Sequence, residues 1–184
     1  MKFDALVWVF ALAATIHNLE EALLLPAWSR RAWRQVEEAA VLPAWLRRAG
    51  RRRVEVGAGE FRLGVLALTL VTYFIAVLAA AGSAVAAYLV CGFALAMALN
   101  AFVPHLAASV ALREYAPGTA SGLLLNLPIC AALLMEAAAE SRIAWPMFAW
   151  VGPATVLAIA AAIPAALALG RALPAPRGGD GQSC

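Results

Sequence analysis

The chain has 184 residues, 64% of them apolar and 14% charged, against roughly 25% charged in ordinary soluble domains. That balance excludes a water-soluble domain of this size, which would lack the polar surface to stay in solution. The formal net charge of +3 is small, and its distribution matters more, because eight arginines crowd between Arg30 and Arg53.

Five apolar stretches lie near Ala5–Leu25, Val56–Ala80, Ala84–Leu112, Gly118–Ala138 and Pro146–Leu169. Each reaches the roughly 20 residues a helix needs to cross a bilayer. Such segments must be helical, since lipid offers no partner to backbone N–H and C=O groups. The expected fold class is therefore all-α, a polytopic membrane bundle of about five transmembrane helices, with residues 1–170 as one domain. The third stretch is long enough to tilt or project from the bilayer. Positive charge marks the cytoplasmic side, which puts Arg30–Arg53 inside, the N-terminus outside and the C-terminus in the cytoplasm. Arg62, Arg113, Arg171 and Arg177 then also fall inside, and only Lys2 and Arg142 fall outside.

The first stretch carries Ala11-Leu-Ala13, which has the small-residue look of a signal-peptide cleavage site. Lys2 and Asp4 cancel, however, and the apolar run continues to Leu25, so a retained span is expected. Residues 26–55 read as a basic, tryptophan-rich interfacial loop. Trp28, Trp33 and Trp45 alternate with arginines, the pattern of short helices at the headgroup level with arginines on anionic lipid. The tryptophans and flanking spans argue against nucleic acid as the partner. Cys91 and Cys130 sit inside apolar runs and read as small buried side chains, with Cys184 a tail thiol. Residues 171–184, rich in Pro and Gly, read as a disordered tail. The oligomeric state is not legible.

The chemistry is concentrated in His17-Asn18-Leu19-Glu20-Glu21, inside the first span. A carboxylate at the centre of a span costs roughly 2.5–3.5 kcal/mol on insertion scales, so buried ionisable groups there mark a functional site. At about 100° per residue, His17, Glu20 and Glu21 share one arc of the helix. Histidine and carboxylate three or four residues apart is the spacing with which helical bundles hold metals.

The arginine-based topology places other polar residues at a similar depth. His17 lies roughly 13 Å, His105 roughly 10 Å and Asn126 roughly 12 Å from the cytoplasmic ends of their spans, at 1.5 Å per residue. Glu60 enters from the same side at a shallower level, while Glu136 falls near the outer end. Pro104 cannot donate to the carbonyl of Asn100. Asn100 and His105 stand about 140° apart on a straight helix, so a kink must bring them onto one face. The candidate metal ligands are His17, Glu20, Glu21, His105 and Glu60. Glu20, Glu21 and His17 are the candidate catalytic groups, with Asn100, Asn126 and Tyr115 around them. Taken singly, Glu60 with Arg62 reads as an interfacial pair and Asn126 as a hydrogen bond between helices.

The His-x-x-Glu-Glu string in a first apolar helix, Asn100-Ala-Phe-Val-Pro-His105, and Tyr115-Ala-Pro117-Gly118 leading to a span with Pro128 resemble the HXXEE-domain family of small bacterial membrane proteins. The resemblance covers roughly residues 5–130. It implies a multi-pass protein of the bacterial inner membrane, and no particular activity. A looser analogy, at the level of fold and site only, is to emopamil-binding-type sterol isomerases. They also place histidine and carboxylates in an intramembrane cavity of a five-helix protein.

Two enzymatic readings follow. In the first, a divalent zinc, iron or manganese ion, which mixed imidazole and carboxylate ligands suit, serves a reaction on a lipophilic substrate. In the second, Glu20 or Glu21 is the acid or base of a metal-free isomerase or cyclase. A non-catalytic membrane module, its polar cluster fixing only helix packing, is the third reading. A transporter fits less well, since no inverted repeat is visible.

Overall fold

The computed structural model describes residues 1–38 and 58–172. These are helical and contain five helices long and apolar enough to cross a membrane. In chain order they are α1 (Phe3–Glu38), α2 (Ala58–Ala80), α3 (Ala84–Asn100), a π-helical segment (Ala101–Leu106), α4 (Ala107–Leu112), a second π-helical segment (Ser121–Asn126), α5 (Leu127–Ala139) and α6 (Trp145–Ala172). The third crossing, Ala84–Leu112, is α3, the first π segment and α4 run together.

One boundary differs from expectation. Residues 26–38, expected as separate short interfacial helices, continue α1 without a break. Pro26 lies inside that helix and lacks the N–H that would bond the Ala22 carbonyl. Arg62 of α2 supplies the missing donor, its Nε lying 3.2 Å from that carbonyl. Arg62 therefore satisfies a broken helical turn rather than standing only as an interfacial charge. The rest of the basic loop, with Trp45, and the tail from residue 173 lie outside the described residues.

The interior lies where α1 and the third crossing meet. Phe3, Val7, Phe10 and Ala14 of α1 pack with Val90, Cys91, Phe93 and Ala94 of α3 and with Cys130 and Leu133 of α5. Many of these side chains are small, which lets helices approach closely where lipid gives no hydrophobic force between them. The opposite faces of α2 and α6 expose Leu66, Leu70, Phe74, Trp150 and Leu157, as a lipid-facing surface requires. At the end holding the N-terminus, the Phe3 N–H donates to Glu140 at 3.1 Å. Arg142 there pairs with Asp4 at 3.2 Å and lies over the Phe3 ring.

Each π segment adjoins a proline. Pro104 lies inside the first, where Val103 leaves helical geometry (φ −133°, ψ 111°) and the Val103–Pro104 peptide bond is cis. The second runs directly into Leu127-Pro128, and Pro128 has no N–H for the Leu124 carbonyl. The first segment is thus a kink between two helices; His105 reaches α1 from it, and the second packs directly on α1.

Candidate metal centre and adjoining cavity

The i, i+4 spacing on α1 stacks His17 above Glu21, with His17 Nε2 3.5 Å from Glu21 Oε1. The kinked third crossing adds His105, whose Nε2 lies 2.8 Å from the same oxygen. The two imidazoles meet edge to face, centroids 5.1 Å apart, and both are buried. One ligand atom each from His17, Glu21 and His105 can be chosen so that all lie within 4.8 Å of one another. Tetrahedral ligands with bonds of ~2.0–2.1 Å stand about 3.3 Å apart; the 3.5 Å and 2.8 Å separations fall on either side of that spacing, within a group spanning no more than 4.8 Å.

Asn100 joins them. Its Nδ2 lies 3.2 Å from His17 Nε2 and 2.9 Å from His105 Nε2. The kink at Val103 brings residues 100 and 105 to one side, which a straight helix would not.

Glu20 turns away from this group. It accepts hydrogen bonds from the Tyr115 hydroxyl at 2.5 Å, the Gly118 N–H at 2.9 Å and the Ser121 hydroxyl at 2.5 Å. Ser121 Oγ also lies 2.9 Å from His17 Nδ1. Its single proton serves the carboxylate, so the oxygen accepts from the imidazole and Nδ1 carries the hydrogen. His17 Nε2 is then left with its lone pair facing Glu21 and His105. A partner of this kind on the far ring nitrogen orients metal-ligating histidines.

The loop from Arg113 to Ala120 is held in place to make these contacts. Ser109 Oγ lies 2.8 Å from Thr119 Oγ1 and accepts the Ala116 N–H at 3.0 Å. Gly118 has φ +91°, and a Cβ there would stand 2.5 Å from His105 Cε1. Only glycine combines that backbone with a ring so close. Burial, together with the bond to Glu20, pushes the Tyr115 phenol above its ordinary range, so it remains a donor at neutral pH.

The structure thus brings His17, Glu21, His105 and Asn100 together and places Glu20 and Tyr115 beside them. Glu60 does not join the donor group among the described residues. Asn126 is buried, and neither its side-chain oxygen nor its nitrogen has a hydrogen-bond partner. Ser121 and Asn18 were not singled out from sequence. A lone serine entering a span carries no pattern, while Asn18 lies within the motif and turns to α2, where its amide donates to Thr69 at 2.8 Å.

On its other side, Glu21 forms part of the wall of a cavity of about 620 Å³. Residues from Phe61 to Ile75 on α2, Leu89 and Phe93 on α3, and Val151 to Ala162 on α6 line it. Among the described residues, the lining is apolar except for Asn18, Glu21 and Thr155 and contains no cationic side chain.

An all-helical, multi-span architecture with two imidazoles and a carboxylate gathered inside it defines a class: polytopic membrane proteins with an internal polar centre. Within that class, the chain belongs to the family of proteins of unknown function with an HXXEE motif, whose family model matches residues 8–133. It is 32% identical over 138 residues to the uncharacterized protein YrkK of Bacillus subtilis (strain 168), covering 74% of this chain and 77% of that protein. No solved structure matches. The family match contains every residue of the donor group and ends before α6, which supplies one wall of the cavity.

Proposed function

We propose that the chain is a metal-dependent membrane enzyme in which His17, Glu21 and His105 hold one divalent ion of the zinc, iron or manganese type, beside a cavity for a lipophilic substrate. The observation that carries this reading is the convergence of two imidazole nitrogens and a carboxylate oxygen from α1 and the third crossing. Two histidines and one carboxylate leave coordination positions open, as catalytic sites do and closed structural sites do not. Such an ion, when bound, polarises a substrate oxygen or activates water.

The chain's own residues fix the arrangement. Ser121 and Glu20 orient His17, and Gly118 backs the His105 ring. Asn100, with its amide turned over, offers an oxygen to the same point. Glu21 belongs to both the donor group and the cavity wall, so a substrate in the cavity meets the centre there. The positive-inside rule supports a cytoplasmic placement for the arginine-rich end, where Arg30, Arg31 and Arg34 on the extension of α1 suit anionic headgroups.

Metal analysis of the purified full-length protein tests this. About one equivalent per chain is expected for wild type, and a small fraction of that for His17→Ala, Glu21→Gln and His105→Ala. A stoichiometric ion in the three variants, or none in wild type after supplementation, overturns the assignment.

The 2.8 Å contact between Glu21 and His105 at the cavity wall favours one other reading, metal-free proton transfer by Glu21 in an isomerisation or cyclisation. Turnover that survives chelation and is lost in Glu21→Gln would support it.

A further inference from the structure

We propose that Asn100 is a fourth protein ligand, through its amide oxygen, and that the ion is a six-coordinate iron or manganese ion rather than zinc; this rests on the reading of His17, Glu21 and His105 as ligands, and narrows it. Position comes first. The Asn100 amide nitrogen lies 3.2 Å from His17 Nε2 and 2.9 Å from His105 Nε2. Glu21 Oε1 lies 3.5 Å and 2.8 Å from the same two atoms. Each ring nitrogen is therefore flanked by the amide on one side and the carboxylate on the other, and the four atoms surround one point. The kink at Val103 is what aims residue 100 there.

The hydrogens explain why the amide oxygen belongs at that point. His17 Nε2 carries its lone pair, because Nδ1 donates to Ser121. His105 Nε2 stands between an ionised carboxylate, which accepts, and an amide nitrogen, which donates. A ring nitrogen has one in-plane hydrogen or one in-plane lone pair, so it cannot serve both neighbours. Turning the amide over gives a His105 N–H two acceptors, but sets the amide oxygen against the His17 lone pair. A cation at the shared point removes the conflict. With the amide turned over, both ring nitrogens, the carboxylate and the amide oxygen direct lone pairs at it. The exchange needs only a half-turn of the terminal amide, since its oxygen and nitrogen occupy equivalent places.

Donor number and type then choose the ion. Catalytic zinc keeps three protein ligands and one open position, and closed structural zinc sites are built on thiolates. Four protein donors would fill a tetrahedral zinc ion and leave no position for a substrate, and the donor group contains no cysteine among the described residues. Two imidazoles with two oxygen donors suit iron or manganese, and a six-coordinate ion so held keeps two positions open. Neighbouring donors on an octahedral ion with bonds of ~2.1 Å stand about 3.0 Å apart. The 2.8 Å and 2.9 Å contacts of His105 Nε2 lie nearer to that value than to the tetrahedral spacing.

The test substitutes cobalt(II) into the purified full-length protein, since its visible spectrum reports coordination number. Wild type should show the weak absorption of six-coordinate cobalt. Asn100→Leu keeps the volume and removes every donor. Its cobalt affinity, read by competition with a chromogenic chelator, should fall by more than the roughly 10–100-fold that loss of an outer partner costs. Asn100→Asp keeps an oxygen and discards the N–H groups, and should bind cobalt at least as tightly as wild type. A cooperative thermal transition in each variant reports that it folds.

Intense four-coordinate bands in wild type overturn the six-coordinate ion and return the centre to zinc. A folded Asn100→Leu within about tenfold of wild type, or an Asn100→Asp as weak as Asn100→Leu, overturns the oxygen ligand and leaves Asn100 a hydrogen-bond donor beside the centre. Each of these results leaves the three-ligand centre standing. Wild type that takes up no cobalt removes the centre and the fourth ligand together.

Discussion

At the scale of single residues, adjacent carboxylates that share one arc of α1 have different work. Glu21 faces the histidines, while Glu20 is consumed by three donors from residues 115–121. The string His17-x-x-Glu20-Glu21 marks the centre from sequence, but periodicity cannot divide the two roles. Which oxygen is used depends on donors about 100 residues further on. Ser121 is the hinge of that division. Ser121→Ala removes a donor from Glu20 and an acceptor from His17 Nδ1. Losing such a buried partner costs about 1–3 kcal/mol, and losing the orientation of a ligating histidine weakens metal binding by roughly 10–100-fold. Ser121→Thr, which keeps the hydroxyl, should restore most of both. Thermal unfolding and a competitive metal titration check this, and unchanged affinity in Ser121→Ala would remove Ser121 from the centre.

At the scale of elements, the need for a kink between Asn100 and His105 is legible from their spacing and from Pro104. Its outcome is not, because a proline shows where a turn fails without showing how the chain re-forms. Here the chain kinks at Val103 and starts a new helix, which swings both side chains to His17. Pro104→Ala restores an N–H and permits an ordinary helix from α3 into α4. The expected result is a thermal stability equal to or above that of wild type, with metal affinity reduced at least about tenfold, in line with a displaced neighbour of the ligands. Pro26 gives the opposite lesson. It predicts a break that does not occur, because Arg62 reaches across from α2 to the vacant carbonyl. A compensation supplied by another helix leaves no trace in the local pattern.

At the scale of the whole molecule, the five crossings are legible because lipid allows few backbone solutions. The match between the expected third stretch and the observed Ala84–Leu112 follows from that. The cavity is not legible, since it depends on which small residues of α2 and α6 face each other. The cluster of Asp4, Glu140 and Arg142 at the N-terminal end looks like a fastener, but it is partly exposed. Exposed ion pairs contribute about 0–1 kcal/mol. Arg142→Ala should therefore shift the melting temperature little and leave metal content unchanged. A large loss of stability would show that this end carries more of the fold than its exposure implies.

The donors that complete the Glu20 carboxylate come from residues 115–121, and its neighbour Glu21 meets His105 from the third crossing. On the ribosome, the first crossing is therefore made long before any of its companions exist. It must reach the insertion machinery with Glu20 lacking all three of its donors and Glu21 facing only His17 of its own helix, each carboxylate costing roughly 2.5–3.5 kcal/mol at full depth. Chains halted after residue 90 should release this segment from the bilayer, whereas chains halted after residue 150 should retain it. Alkali extraction of the two nascent forms reads the difference, and equal retention would show that α1 settles in lipid unaided.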